Sequence, residues 1–274
     1  MKKVLTVAGS DCSGGAGIQA DLKSFSAQGV YGMSVITAIT AQNTQGVFAV
    51  QDITPEIIGQ QMDAIFTDIE VDAVKIGMVS QAASIEIISE KLRQYKPSKV
   101  VLDPVMISKS GYSLLQPSAK SALLAELLPL AYVITPNIPE AEAILEGKLG
   151  KAFKIQNVED MTRAAKEIRE LGPEFVLVKG GHLEASAVDV LFDGETAVYF
   201  NEDRVNTKNT HGTGCTLSSA IAANLALGYS VVESIKISKA YITDAIRHSL
   251  DIGKGVGPTN HFYTLYKRAG LNYE

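Results

Sequence analysis

The densest chemistry lies in Asn209-Thr210-His211-Gly212-Thr213-Gly214-Cys215, which runs directly into TLSSAIAANLAL. Leu217, Ile221 and Leu225 recur at helical spacing, so the glycine-rich turn opens a helix. At such a start the amides of Gly212, Thr213, Gly214 and Cys215 can converge on one anion, with the helix dipole behind them. The plain alternative is a tight turn capped by Thr213. No Gly-Lys-Ser/Thr follows, so the segment is not a Walker-type phosphate loop. Cys215 stands in the first turn, where a thiol can have a lowered pKa. It could deprotonate a substrate hydroxyl, hold it in line, or be a small buried helix residue. Cys12 lies in a glycine-rich loop with no base or cation beside it and reads as structural.

Four further segments carry candidate groups. In Thr135-Pro136-Asn137-Ile138-Pro139-Glu140 a carboxylate follows a strand, where Glu140 could hold Mg²⁺ through water. The same spacing suits a capping box, with Asn137 as N-cap and Glu140 answering it, and both roles can coexist. In Val178-Lys179-Gly180-Gly181-His182, Lys179 could reach a phosphate oxygen or be a solvated turn lysine. Asp103 in Leu102-Asp103-Pro104-Val105-Met106 follows an apolar strand and needs a metal, a cation or donors. The loop Gly9 to Asp21 joins a first strand to a helix, and Asp21 could face the site or water.

These groups need a scaffold that brings strand ends together. Apolar, β-branched runs over 4–8, 33–39, 73–76, 99–102, 132–135 and 175–179 alternate with helical patterns. Thr54-Pro55-Glu56 starts one helix, with Ile58, Met62, Ile65 and Phe66 on one face. Ser80 is expected to cap the next, carrying Ile85, Ile88 and Leu92. Asn157 is expected to cap a third that Gly172 ends. The stretch 187–202 alternates around Asp193-Gly194 and reads as an antiparallel edge hairpin. Helices over about 214–227 and 231–250 close the chain. The expectation is a single domain over 1–274: an α/β three-layer sandwich with a mainly parallel sheet. No covering lid is evident.

The 274 residues are 46% hydrophobic, enough for a sizeable core. With 25 basic and 30 acidic residues and no basic run, a nucleic-acid partner is excluded. The two cysteines form no Cys-x-x-Cys pair, which gives a zinc site no support. No apolar run approaches the roughly 20 residues of a membrane span. MKKVLTVAGSD reads as a first strand rather than a signal peptide, so a cytoplasmic location is expected.

Together and in order, AGSDCSGGAGIQADLK, TAITAQNT, VKIGM, LDPVM, TPNIPEAE, VKGGH and NTHGTGCTLSSAIA resemble the ribokinase superfamily. The likeness is to its hydroxymethylpyrimidine/phosphomethylpyrimidine kinase branch and spans about Lys3 to Phe262. It implies a ribokinase-like fold and ATP, with Mg²⁺, phosphorylating 4-amino-5-hydroxymethyl-2-methylpyrimidine (HMP) and then its monophosphate in thiamine synthesis. Carried over, Gly9, Asp21, Gln42, Met78 and Val105 form the pyrimidine pocket. The Gln42 amide would offer a donor and an acceptor to the ring edge. The amides of Gly212, Thr213, Gly214 and Cys215, with Lys179, would stabilise the moving phosphoryl group. Asn137, Glu140, Lys179, Thr210 and Lys239 would serve the nucleotide, and Asp103 and Glu140 the metal. The resemblance also implies a homodimer. Pyridoxine/pyridoxal kinase of the same branch is the nearest alternative, and a non-catalytic pyrimidine-binding regulator a third reading.

Overall fold

The structure is a computed structural model that describes residues 1–106, 117–181 and 187–271. The strands are β1 (Lys3–Asp11), β2 (Tyr31–Asn43), β3 (Gly46–Asp52), β4 (Ala73–Ile76), β5 (Val100–Leu102), β6 (Val133–Ile134), β7 (Phe175–Val178), β8 (Ala187–Phe192) and β9 (Ala197–Glu202). They form a nine-stranded sheet in the order β3-β2-β1-β4-β5-β6-β7-β8-β9. From β2 across to β7 every neighbour is parallel. Parallel strands need both faces covered, which is why their sequences are apolar without polar alternation. All four residues of β4 are buried.

The covering helices form two layers. On one face lie α1 (Gly17–Ala27), α7 (Thr213–Ala226) and α8 (Val231–Arg247), packed through Phe25, Leu217, Ile221, Ile235 and Ile242 on Val4, Val101, Val133 and Leu177. On the other lie α2 (Pro55–Phe66), α3 (Ala82–Tyr95), α4 (Pro117–Ala122), α5 (Ile138–Leu149) and α6 (Val158–Arg169). Their apolar faces meet Leu5, Val74, Leu102, Ile134 and Val176. The period-2 alternation of each strand feeds both cores in turn. A short α9 (Tyr263–Arg268) follows.

Helix starts follow the capping chemistry in most places. Thr54 accepts from the Ile57 amide, with Pro55 in the first turn, and Asn157 accepts from the Asp160 amide at 2.8 Å. Ser80 does not cap α3. Its hydroxyl bonds the Asp52 carboxylate at the end of β3, and Gln81 takes the cap position while its side chain donates to the same carboxylate rather than capping the helix. Helix α6 stops at Arg169, and Gly172 turns the chain toward β7 with φ +118°.

The hairpin expected at one edge is β8–β9, where Asp193 Oδ1 accepts the amides of Glu195 and Thr196. A second antiparallel edge was not expected from the sequence. Strand β2 runs on to Asn43 and turns back as β3, so a hairpin overhangs the ends of the central strands. Gly253–Val256 packs against its tip, with the Val256 amide donating to the Thr44 carbonyl at 2.8 Å.

Candidate active site

Neighbouring connections leave β1 in opposite directions, toward β2 and toward β4, so a crevice opens at the carboxyl ends of the strands. A cavity of about 550 Å³ occupies it, within the range of small-molecule sites. The ends of β1, β4, β5 and β7 reach it through Gly9, Met78, Asp103 and Lys179, and the first turn of α7 through Gly214 and Cys215.

The backbone around α7 demands glycine. Gly212 has φ +78°, and a Cβ there would lie 1.7 Å from the Gly15 carbonyl oxygen, so the two glycine-rich loops interlock. The Thr213 hydroxyl donates to the Thr210 carbonyl at 2.7 Å, and its amide leans to the same oxygen at 3.4 Å. That leaves Gly214 and Cys215 to present the freest first-turn amides. A Cβ on Gly214 would stand 3.3 Å from Asp103 Oδ2 and 3.6 Å from Lys179 Nζ. The anion site therefore faces a cation and a carboxylate across a few ångströms.

Lys179 Nζ donates to Asp103 Oδ1 at 2.8 Å, and Thr135 and Ser218 donate to the same carboxylate. This is the partner that the buried Asp103 needs. Burial alone would lower the Lys179 ammonium, but Asp103 and Glu140 beside it hold it raised. Glu140 and Asn137 form the expected capping box at the start of α5, with bonds of 2.8 and 2.9 Å. Burial pushes the Glu140 carboxyl up to about 7, against Lys179 and with the help of the Asp103 charge. Two carboxylates sharing one ammonium are short of positive charge. That donor set fits Mg²⁺, which takes one or two carboxylates and fills its shell with water and phosphate oxygens. No cluster of three or more His, Cys, Asp or Glu that could hold a metal occurs among the described residues.

Cys215 departs from the sequence expectation. Burial pushes its thiol up to about 11. The Lys75 ammonium and a Gly17 amide work against that, while Asp21 and Asp103 add to it. The helix start is therefore outweighed by desolvation and carboxylates.

The substrate side is built at two strand irregularities. The β1–β2 register slips at Gly9, and the β2–β3 register slips between Ala41 and Gln42, so bulges re-aim both positions toward the cavity. Met78 packs with Ala38, Val50 and Val105 into a small apolar wall. Cys12, exposed, bonds the Gln42 carbonyl at 3.1 Å.

Three of the residues carried over from the resemblance lie elsewhere. Asp21 is fully buried behind the sheet, where its oxygens bond Lys75 Nζ at 2.9 Å, Thr6 and Ser219. It does not line the cavity. Lys239 is tied to Asp189 Oδ2 at 2.6 Å and the Ala187 carbonyl, and does not line the cavity. Thr210 does not line the cavity, and its carbonyl accepts from the Thr213 hydroxyl just before α7. His182 lies outside the described residues. Conversely, Asp11 and His211 line the cavity and pair at 2.7 Å across 200 residues. Both stand inside the quoted motifs, yet no local spacing joins them.

The phosphomethylpyrimidine kinase family model matches residues 11–260. The chain is 53% identical over 266 residues to a hydroxymethylpyrimidine/phosphomethylpyrimidine kinase of Rhizobium meliloti, covering 96% of this chain and 98% of the relative. A solved phosphomethylpyrimidine kinase of Clostridium difficile superposes with TM-score 0.79 at 56% identity, over 90% of this chain and all of that one. The ADP complex of a Bacillus subtilis pyridoxal kinase superposes with TM-score 0.88 at 42% identity, over 97% and 99% of the two chains. With the family model spanning most of the sequence, and the helix-start amides, Lys179 and paired carboxylates gathered in one crevice, the chain belongs to the phosphomethylpyrimidine kinase family.

Proposed function

We propose that this protein transfers the γ-phosphoryl group of ATP to the hydroxymethyl oxygen of HMP, and then phosphorylates the resulting monophosphate. The observation that carries this reading is the single cavity shared by the α7 amides, the Lys179–Asp103–Glu140 group and the Gln42–Met78–Val105 wall. A phosphate-binding end and a flat, apolar-walled end with one carboxamide lie side by side.

In this reading the Gly214 and Cys215 amides face the oxygens of the moving phosphoryl group, and Lys179 adds a fixed positive charge. Asp103 and Glu140 would hold Mg²⁺, which supplies charge neutralisation between neighbouring phosphates when bound. Met78 and Val105 flank the ring, and Gln42 meets its polar edge. Cys215 keeps the hydroxymethyl oxygen in line. Its thiol is protonated at rest, so only its thiolate fraction acts as base, and a loose phosphoryl-transfer transition state asks little of one. Catalysis then rests on positioning and preorganised charge.

The same proposal includes a cytoplasmic enzyme of one domain that works as a homodimer. Exposed apolar side chains of the β2–β3 hairpin support the last point, since Phe48 and Ile39 are 68% and 50% exposed. A second reading, phosphorylation of pyridoxine or pyridoxal, is favoured by the likeness to the Bacillus subtilis pyridoxal kinase. A coupled ADP-release panel with HMP, HMP monophosphate, pyridoxine and pyridoxal decides between them. The highest kcat/KM is expected for HMP or its monophosphate. A higher value for either pyridine would reverse the assignment.

A further inference from the structure

The Asp11–His211 pair has consequences for Gln42. Asp11 Oδ1 accepts from the Ser13 amide at 2.9 Å and the Ser13 hydroxyl at 2.7 Å. Its Oδ2 accepts from the Ala16 amide at 2.8 Å and lies 2.7 Å from His211 Nε2. A carboxylate offers about four lone-pair sites; three here accept from N–H or O–H donors, and against burial the hydrogen bonds around Asp11 hold its carboxyl below the ordinary range, so it is ionised and can only accept. His211 Nε2 must therefore carry a hydrogen and donate it. It then has no lone pair with which to accept. The ring cannot turn away: a Cβ on Gly15 would stand 2.2 Å from His211 Cδ2, and the His211 amide is held by the Gly257 carbonyl at 3.0 Å.

Thr40 imposes the opposite demand. Its one hydroxyl hydrogen goes to the Ser10 carbonyl at 2.9 Å, which can only accept. Toward any other neighbour the Thr40 oxygen is an acceptor.

Gln42 lies between them. Its amide nitrogen stands 3.4 Å from His211 Nε2 and its amide oxygen 3.2 Å from Thr40 Oγ1. Both contacts set like against like, donor on donor and acceptor on acceptor. The two ends of a carboxamide are nearly isosteric, so the surrounding network decides which faces which. A half-turn about the last side-chain bond makes the Thr40 contact a hydrogen bond and sets the amide oxygen against the Nε2–H of His211, whose one hydrogen it shares with Asp11.

We propose that His211, held by Asp11, and Thr40 are positioning residues that fix the Gln42 carboxamide in this turned orientation and so set the ring specificity of the site. One lone pair and one N–H of Gln42 are left for the cavity, in a fixed order. A ring nitrogen beside an exocyclic amine matches that order. A pyridine such as pyridoxal has no amine beside its ring nitrogen and gains nothing from it. This inference rests on the reading that Gln42 meets the substrate ring.

The test compares kcat/KM for HMP and for pyridoxal in wild type, His211→Leu, His211→Gln and Thr40→Val, with thermal melts on each. Wild-type turnover of HMP is measured first, since its absence would overturn the substrate reading itself. His211→Leu frees the carboxamide and should lower kcat/KM for HMP about tenfold or more, mainly through KM, while pyridoxal changes less than about threefold. His211→Gln keeps an N–H where Nε2 stood and should restore the HMP preference. Thr40→Val is close to isosteric and reads the other end of the amide, so it carries the test if His211→Leu fails to fold. It should also lose HMP selectively. Equal losses on both substrates in the folded variants, or an unchanged ratio, would overturn the assignment.

Discussion

At the scale of single residues, Cys215 and Glu140 give the sharpest expectations, because burial moves both away from their ordinary values. The Cys215 thiol sits near 11, so the thiolate fraction at neutral pH is small and grows tenfold per pH unit. If the thiolate takes the hydroxyl proton, log kcat should climb with pH from about 6 to 9. In that case Cys215→Ala should lower kcat roughly 10²–10⁴-fold, flatten that rise and leave the KM for ATP nearly unchanged. A wild-type profile already flat over this range would reduce the thiol to a wall of the pocket. Glu140 works in the opposite sense, through stability. Its carboxyl is raised from 4.5 to about 7 by burial, so between those values the folded chain holds a proton that the unfolded chain has released. Stability of the metal-free protein should therefore fall as pH rises from 4.5 to 7 and level off above. Glu140→Gln should remove a slope worth on the order of 1–3 kcal/mol and raise the Mg²⁺ concentration needed for half-maximal rate. Melting curves from pH 5 to 8 with equal slopes for wild type and variant would contradict this. The sequence shows that both groups are special but not in which direction. A helix start argues for a depressed thiol, and only the folded arrangement buries it and adds the Asp21 and Asp103 charges, which reverses the sign.

Among the elements, the loop into α7 carries the most constraint. Gly212→Ala would combine φ +78° with a Cβ 1.7 Å from the Gly15 oxygen, so the anion-facing turn must shift. A loss of kcat of about 10²-fold or more is expected, with destabilisation of about 1–3 kcal/mol. Gly228→Ala is the control, since its φ is +98° but nothing stands within 4 Å of the added Cβ. It should cost some stability and leave kcat alone. Comparable losses of kcat in both would mean that backbone strain, not the interlocked loops, limits the reaction. The capped helices and the Asp193-Gly194 hairpin were legible from the sequence because their signals are local, a side-chain oxygen two or three residues from the amide it accepts. Strand β3 was not. None of its GVFAVQD is fully buried, so no buried alternation marks it, and its pairing is fixed by the bulge at Gln42 and by contacts with Gly253–Val256. That Asp21 and Lys239 do not line the cavity has the same origin. Their partners Lys75 and Asp189 lie 54 and 50 residues away, and a sequence offers a charged residue in a motif no sign that a buried counter-ion awaits it.

For the whole molecule, the sheet order explains why distant motifs act together. Strand ends that are far apart in sequence meet at the crevice beside β1, and α7 brings its first turn over them from the opposite layer. The parallel core of this arrangement follows from the apolar runs, while the second antiparallel edge depends on long-range pairing that no local pattern encodes. The central claim is that one cavity carries two successive phosphoryl transfers to one hydroxymethylpyrimidine. The most direct measurement is the stoichiometry of exhaustive turnover: limiting HMP, excess ATP and Mg²⁺, with ADP counted and products identified by mass. The account predicts two ADP per HMP, a monophosphate that appears and is consumed, and no ADP release above background without the pyrimidine. One ADP per HMP with the monophosphate as end product, or no HMP-dependent ADP at all, would contradict it.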